Sequence, residues 1–217
     1  PIGTNQANVV WEWNVKDHLV QDFDATKDNF GVVANSEGKL NFNYINNNHA
    51  NANWLHCNSL QYNPALDQIV LSSRIMSEIY IIDHSTTTVE SATNTGGNYG
   101  KGGDFLYRWG NKAAYDKGLE SDQKLFGQHY PHWIADGLTD AGKIMIFNNG
   151  GSRAYSSIDI IDPTVTTPGN YTYDSVNGYA PVDAEWIYTT ATNTDFFTAI
   201  LSSGERLPNG NTLICDG

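Results

Sequence analysis

The pattern of apolar and polar residues becomes regular near residue 55, and short alternating or apolar runs recur from there onward. The runs are rich in Ile, Val, Tyr and Trp and are bounded by Asn, Asp, Gly and Pro, a pattern typical of β-strands joined by turns. The predicted strands span residues 56–62, 68–74, 77–83, 104–109, 129–135, 143–148, 156–162, 184–188, 197–207 and 211–215. The sequence therefore predicts an all-β chain.

The predicted strands repeat as a unit, in which Ile69 corresponds to Ile144 and Trp109 corresponds to Trp186. Four short strands per unit with recurring turns are typical of a β-propeller blade. We predict one β-propeller domain over residues 1–217, truncated at both ends, with complete blades at about 55–110 and 128–190. Parts of two other blades complete it, the later one starting at about residue 197. Because a propeller needs at least about four blades to close, the ring is expected to be incomplete. A β-sandwich would explain the alternation but not the repeat.

The pattern before residue 55 is weaker. Residues 9–13 alternate and predict a strand in which Trp13 ends an earlier blade. The apolar spacing over residues 16–23 predicts a short helix, with His18 as a solvated surface residue. The Asn-rich segment 41–53 predicts a loop, in which His49 has no evident partner.

Polar residues of complementary chemistry enter the apolar strands at two places. His56 and Asn58 begin the first predicted unit, Arg74 ends its second strand, and His129 begins the second unit. Arginine offers a planar fork of donors, asparagine an amide donor, and histidine a proton acceptor near neutral pH. This combination suits a site that holds an oxyanion and moves a proton. Strand alternation predicts that His56 and Asn58 share one face while Cys57 points the other way, into packing.

Motifs around these residues resemble those of the bacterial arylsulfate sulfotransferases. The resemblance covers most of residues 9–217, and its specific marks are the His-x-Asn spacing to Arg74 and the Gln-His pair at 128–129. Other matching segments are Trp-Leu-His-Cys-Asn-Ser at 54–59, Asp-Gln-Ile-Val-Leu-Ser-Ser-Arg at 67–74, Ile-Asp-His-Ser-Thr-Thr-Thr at 82–88, Leu-Tyr-Arg-Trp-Gly at 106–110, Leu-Phe-Gly-Gln-His at 125–129 and Leu-Pro-Asn-Gly-Asn-Thr-Leu at 207–213. The resemblance implies a six-bladed propeller, periplasmic or secreted. It also implies sulfuryl transfer from a phenolic sulfate ester to another phenol through a sulfated histidine, with no nucleotide donor.

The same resemblance implies a role for each site residue. His129 is the implied nucleophile, His56 the proton-transfer group, and Asn58 and Arg74 the implied sulfate ligands. A hydroxyl residue from a later blade is also implied, and Thr198 is the candidate for it. A further histidine, which the family carries in an earlier blade, has no counterpart in this sequence.

Other residues of interest divide between substrate contact and structure. Aromatic substrates need flat apolar walls, for which Trp54, Tyr130 and Trp133 are candidates. His132 is expected either on the pocket rim or in a turn, and His84 is expected in a local turn, hydrogen-bonded to its neighbours. Arg108 and Arg153 are expected to stabilise blades through backbone or carboxylate contacts.

The charge balance narrows the range of partners. There are 12 Lys and Arg residues against 24 Asp and Glu residues, which gives a net charge of −12. Such an acidic chain argues against nucleic acid and anionic membranes as partners. The acidic and histidine spacings match neither a calcium loop nor a zinc site, so neither a metal nor a cofactor is predicted. The expected partners are a small aryl sulfate and a phenol, with other copies or further parts of the chain as additional candidates.

Two alternative functions stay open at this point. A propeller with the same fold that binds a ligand without turnover would fit the incomplete blade count and the missing early-blade histidine. A hydrolase of sulfate or phosphate esters would use the same anion site, with water in place of the phenol.

Overall fold

The structure is a computed structural model that describes residues 8–45, 52–163 and 165–217. Its strands are β1 (Leu19–Val20), β2 (Leu40–Asn41), β3 (Cys57–Asn63), β4 (Gln68–Ser73), β5 (Glu78–Asp83), β6 (Tyr107–Trp109), β7 (His129–Trp133), β8 (Ile144–Asn148), β9 (Ser157–Ile161), β10 (Val165–Thr167), β11 (Asn170–Tyr171), β12 (Tyr173–Asp174), β13 (Gly178–Tyr179), β14 (Trp186–Tyr188), β15 (Ser203–Arg206) and β16 (Thr212–Cys215). Short 3-10 helices span Val15–His18, Val33–Asn35, Glu90–Ala92, Lys112–Tyr115, Glu120–Asp122 and Asn193–Asp195. These described ranges contain no α-helix, which confirms the prediction of an all-β chain. No helix within them is long and apolar enough to span a bilayer.

Two four-stranded antiparallel sheets form the body of the structure. The first has the order β3-β4-β5-β6 and the second the order β7-β8-β9-β14. β15 and β16 form a separate antiparallel hairpin where the third unit was predicted to begin. The two sheets therefore have the strand content of the predicted units. None of the sheets in the described ranges closes into a ring, and the assignment of these sheets to an incomplete propeller stays a prediction.

The two sheets pack against each other through apolar side chains. One continuous buried cluster joins Val70 and Ile81 of the first sheet to Ile144 and Ile146 of the second. All residues of β5, β8 and β9 are buried, as expected for strands covered on both faces. Burial of each Ile, Met or Phe side chain in these strands stabilises the fold by roughly 1.5–3 kcal/mol. In addition, β3 contacts β7, and β7 contacts β15, so the starts of the three units lie side by side.

The segment before the first sheet differs from the prediction. Residues 9–13 have no strand, and residues 16–23 form a 3-10 turn, Val15–His18, followed by β1. Trp13 does not end an earlier sheet, because its indole N–H donates to Gly103 O (2.8 Å) and its ring packs with the core of the first sheet. The alternation that suggested a strand therefore reflects side chains that dock on another segment. His49 lies outside the described residues.

His18 is fully buried, so its prediction as a solvated surface residue was wrong. Its Nδ1 lies 2.7 Å from Asp104 Oδ1 and its Nε2 lies 2.7 Å from Ser91 O. The ring also stacks on Trp13, with 5.5 Å between ring centroids. Both partners come from a distant loop, and they supply the hydrogen bonds that a buried imidazole needs.

A buried ion pair lies inside the first sheet, between Glu78 and Arg108. Arg108 Nε donates to Glu78 Oε1 at 2.8 Å, and both side chains have no solvent exposure. Arg108 also donates to Lys39 O (2.8 Å), and Tyr80 donates its hydroxyl to Glu78 Oε2 (3.0 Å). Arg153 likewise donates to a backbone carbonyl, that of Tyr155, at 3.1 Å. Both arginines thus make the structural contacts expected of them.

Candidate functional site

The predicted site residues lie where the first strands of the two sheets meet. The N–H of Arg74 donates to the carbonyl of His56 at 3.2 Å, which places the ends of β3 and β4 together. Asn58 Nδ2 donates to Gln128 O at 2.8 Å, which ties β3 to the residue before His129. The structure therefore brings together four polar residues that the sequence placed in three separate strands.

Gln128 anchors this junction, although the sequence marked it only as half of a Gln-His pair. It is fully buried, and its Nε2 donates to Ser72 Oγ (3.1 Å), Ser73 O (3.1 Å) and Glu78 O (2.9 Å). One amide of the second unit thus contacts β4 and β5 of the first sheet. This contact fixes where His129 begins its strand relative to Arg74.

His129 is buried, with 9% of its surface exposed. Its Nδ1 lies 2.8 Å from Asn149 Oδ1, and the N–H of Leu201 donates to its Nε2 at 3.3 Å. Burial lowers the pKa of His129, hydrogen bonds with Asn149 and with the Gly127 backbone oppose that shift, and the nearby Arg74 and His56 lower the pKa further. The imidazole is therefore neutral, with an electron pair available, at neutral pH.

Arg74 is half-buried and lines a cavity of about 310 Å³. Its guanidinium has neither a hydrogen bond nor an ion pair with any residue of the described ranges. Gly127 packs beside the Arg74 side chain: a Cβ at residue 127 would lie 3.9 Å from Arg74 Nε. Gly127 and Ala199 both line the cavity. Gly127 lies two residues before His129, and Ala199 lies two residues before Leu201. A guanidinium with no partner in the described ranges has the donors that an anionic ligand requires.

His56 lies beside this cluster in a conformation that strand alternation did not predict. Its φ is +45°, in the left-handed region, and the pairing of β3 with β4 is irregular between Cys57 and Ser59. The predicted shared face of His56 and Asn58 therefore has no basis in regular alternation. Cys57 is exposed, so the prediction that it packs inward was wrong. His56 Nδ1 lies 2.8 Å from Asn53 Nδ2, and an amide that donates there leaves the ring hydrogen on Nε2.

Several non-glycine residues around the site have a left-handed backbone. Tyr130, next to His129, has a φ of +53°, and the consecutive residues Leu201 and Ser202 have φ values of +58° and +82°. His56 itself also has a left-handed backbone. Tyr130 follows His129 in the chain, and Leu201 and Ser202 lie in the loop that contacts the His129 ring. Left-handed conformations are strained for residues with a Cβ and are concentrated at functional sites.

The two tryptophan candidates pack among other apolar side chains. Trp133, at the far end of β7, is buried in the core between the two sheets. Trp54 packs edge-on against Phe42, with 5.6 Å between ring centroids. Neither tryptophan lines the cavity of Arg74, whose aromatic lining residue is Phe126. Phe126 was not proposed from the sequence, where it appeared only within the motif before His129.

Thr198 supports the site through its backbone. Its carbonyl accepts from Asn149 Nδ2 at 3.0 Å, while its hydroxyl donates to Ile200 O at 3.2 Å. Thr198 is buried, and both contacts hold the loop that leads to Leu201. Asn149, which the sequence analysis missed, thus connects this loop to His129.

His132 and His84 each have nearby partners, and the described residues form no metal site. His132 is buried, with its Nε2 3.4 Å from Glu205 Oε2, and Tyr130 donates its hydroxyl to Glu205 Oε1 at 2.6 Å. His84 pairs with Asp67 at 2.7 Å beside the turn between β3 and β4. In the part of the chain that the structure describes, no group of three or more His, Cys, Asp or Glu side chains is arranged to hold a metal ion.

Comparison with known proteins adds an independent observation. A protein-family model described as "Arylsulfotransferase (ASST)" matches residues 2–217. No curated protein matches the chain. The match includes both sheets and every residue of the cluster at their junction.

Proposed function

The chain belongs to the arylsulfotransferase family, and from that premise we propose that it moves a sulfuryl group from an aryl sulfate ester to a phenol through a sulfated His129. One observation carries the proposal: the half-buried Arg74, whose guanidinium has no partner in the described ranges, lines a cavity and lies close enough to the buried His129 to lower the pKa of that ring. The family membership supports sulfuryl transfer, and the cluster supports the assignment of roles. A periplasmic or secreted location and a six-bladed propeller belong to the same proposal.

The chemistry divides into two balanced steps. In the first, a ring nitrogen of His129 bonds to sulfur while the ester S–O bond breaks, and its electron pair leaves with the phenol oxygen. His56 gives that oxygen a proton, which helps because a phenol has a pKa near 10. In the second, the acceptor phenol oxygen bonds to sulfur, its proton goes to His56, and the S–N electron pair returns to His129. Arg74 neutralises charge on the sulfuryl oxygens in both steps, and the second amide hydrogen of Asn58 supports it.

The proposal is tested with a chromogenic aryl sulfate as donor and a phenol as acceptor. We expect release of the chromogenic phenol that depends on the acceptor, and a sulfate label on the protein that is labile to acid when the acceptor is omitted. Binding of the ester without turnover would overturn the proposal in favour of a ligand-binding scaffold. Turnover at the same rate without acceptor, with free sulfate as the product, would assign a hydrolase instead.

Replacing Arg74 tests the anion site. We expect Arg74→Lys to lower kcat/KM for transfer by about 100-fold although the positive charge is kept, because one ammonium cannot reproduce the two parallel donors of a guanidinium. Arg206→Lys is the matched control, since Arg206 pairs with Asp140 away from the cluster (2.7 Å). We expect this control to change kcat/KM by no more than about twofold, because Arg206 contacts none of the residues of the proposed site. Equal kinetics of Arg74→Lys and wild type would remove Arg74 from the site.

The pH dependence of transfer tests the electrostatics of His129. Burial and the nearby positive charges lower its pKa, so the ring stays neutral to a lower pH than a free imidazole does. With a donor whose phenol is already acidic, the acidic limb of kcat/KM is expected below about pH 6.5, the ordinary value for histidine. Arg74→Gln removes one of the positive charges and is expected to move this limb to higher pH. A limb at or above pH 6.5 in the wild-type protein would contradict the argument.

A further inference from the structure

Asn149 is a fully buried amide whose polar groups all have partners. Its Oδ1 lies 2.8 Å from His129 Nδ1, and its Nδ2 donates to Thr198 O (3.0 Å) and Leu201 O (3.1 Å). Its own carbonyl accepts from Ser156 Oγ at 2.9 Å. Nothing in the proposed chemistry uses this residue, yet its side chain makes a direct hydrogen bond with the His129 ring.

The partners of Asn149 determine which way its amide faces. Backbone carbonyls can only accept hydrogen bonds, so the NH₂ group must face Thr198 and Leu201. Oδ1 must then face His129, and because Oδ1 can only accept, Nδ1 of the ring must carry the hydrogen. The other side of the ring agrees independently: the N–H of Leu201 can only donate, and it points at Nε2 (3.3 Å). Two contacts from different elements therefore assign the electron pair to Nε2.

We propose that Asn149 is a positioning residue that holds His129 as the Nδ1–H tautomer, so that Nε2 is the nitrogen that bonds to sulfur. The kinetic part of this proposal rests on the proposed function, whereas the tautomer assignment stands on the contacts alone. Without the Asn149 amide, either nitrogen can carry the hydrogen, and a fraction of the molecules presents N–H instead of an electron pair.

Asn149 also holds the loop over the nucleophile. Its Nδ2 donates to the carbonyl of Leu201, and the N–H of the same Leu201 donates to His129 Nε2. When Nε2 bonds to sulfur, this N–H loses its acceptor and becomes free to donate to a sulfuryl oxygen. A backbone donor placed in this way adds to the charge stabilisation that Arg74 provides.

The tautomer is measured by ¹⁵N NMR of the full chain with labelled histidine, and His129→Gln assigns the signals. We expect a protonated Nδ1 and an unprotonated Nε2 for His129 in the wild-type protein. Asn149→Ala should show exchange between both tautomers and lower kcat/KM by about 10- to 100-fold, as for other residues that orient a reacting group. Asn149→Asp should keep the Nδ1–H tautomer and raise the pKa of His129, because a carboxylate favours the protonated ring.

Asn148 offers the matched control. It is equally buried, its Oδ1 accepts from Phe126 N (2.9 Å), and its Nδ2 donates to Lys124 O (2.8 Å) and Asp159 Oδ2 (2.7 Å). Asn148→Ala therefore loses a similar amide network, but we expect the His129 tautomer and pKa to stay unchanged. An Nε2–H signal in the wild-type protein, or the same tautomer ratio in Asn149→Ala and wild type, would overturn the proposal. A wild-type protein with the expected tautomer but no transfer would instead reject the proposed function.

Discussion

His129→Gln is expected to abolish both transfer and sulfate labelling, with a loss of at least about 1,000-fold in kcat/KM, because the covalent route requires this nitrogen. Glutamine keeps a polar side chain of similar length toward Asn149, so the loss is not expected to come from a collapsed site. The measurement is transfer from the chromogenic ester, together with the acid-labile label. Arg74 remains in this variant, so binding of the ester is expected to survive.

His132→Gln serves as the control for this experiment. His132 lies on the same strand and is buried, but its Nε2 faces Glu205 rather than Arg74. We expect it to transfer at a rate within about threefold of wild type, as for a residue without contact to the reacting groups. If His129→Gln kept the acid-labile label, another residue would have to carry the sulfuryl group, and the role of His129 would be rejected.

Arg108→Met is expected to lower the free energy of unfolding by about 3–5 kcal/mol, since it leaves the carboxylate of Glu78 buried without its cation. Burial raises the pKa of Glu78, and the charge of Arg108 acts against that shift. Without Arg108, the desolvation of Glu78 is opposed by the smaller effect of the Tyr80 hydroxyl. Urea unfolding followed by circular dichroism measures the loss.

Two further variants test whether the loss of stability comes from the unpaired charge of Glu78. Lys124→Met breaks the exposed pair with Asp183 (2.6 Å) and is expected to change the unfolding free energy by no more than about 1 kcal/mol. Glu78→Gln combined with Arg108→Met removes the unpaired charge and keeps an acceptor for the Tyr80 hydroxyl. This double variant is expected to be more stable than Arg108→Met alone, and a further loss of stability would contradict the account.

The strands of both sheets could be predicted from the sequence because their signals are local. Apolar runs such as residues 144–147 are flanked by turn residues, and burial on both faces favours apolar residues along the strand. The unit of four strands was also predictable, since β5 and β9 end in similar segments near Asp83 and Asp162. The convergence of His56, Asn58, Arg74 and His129 followed from their equivalent places in the two units.

The residues that escaped prediction depend on partners far away in the sequence. His18 is buried because Asp104 and Ser91 reach its two nitrogens, and no local pattern shows this. Asn149 stands before two glycines, where an asparagine is typical of a turn, so its contact with His129 was not apparent. The prediction of the His56 orientation failed for another reason: the left-handed backbone of His56 breaks the strand alternation on which that prediction relied.

The residues with a left-handed backbone around the site indicate which kind of selection acts on this sequence. Relative to glycine, each of His56, Tyr130, Leu201 and Ser202 costs on the order of 1 kcal/mol, whereas a whole domain is stable by only about 5–15 kcal/mol. Leu201 is 60% exposed, so glycine there would give up little packing. Selection for folding alone would favour such replacements. A lineage that kept only the scaffold is therefore expected to accumulate glycine at these positions, while one still under selection for chemistry keeps the strained side chains, as this sequence does.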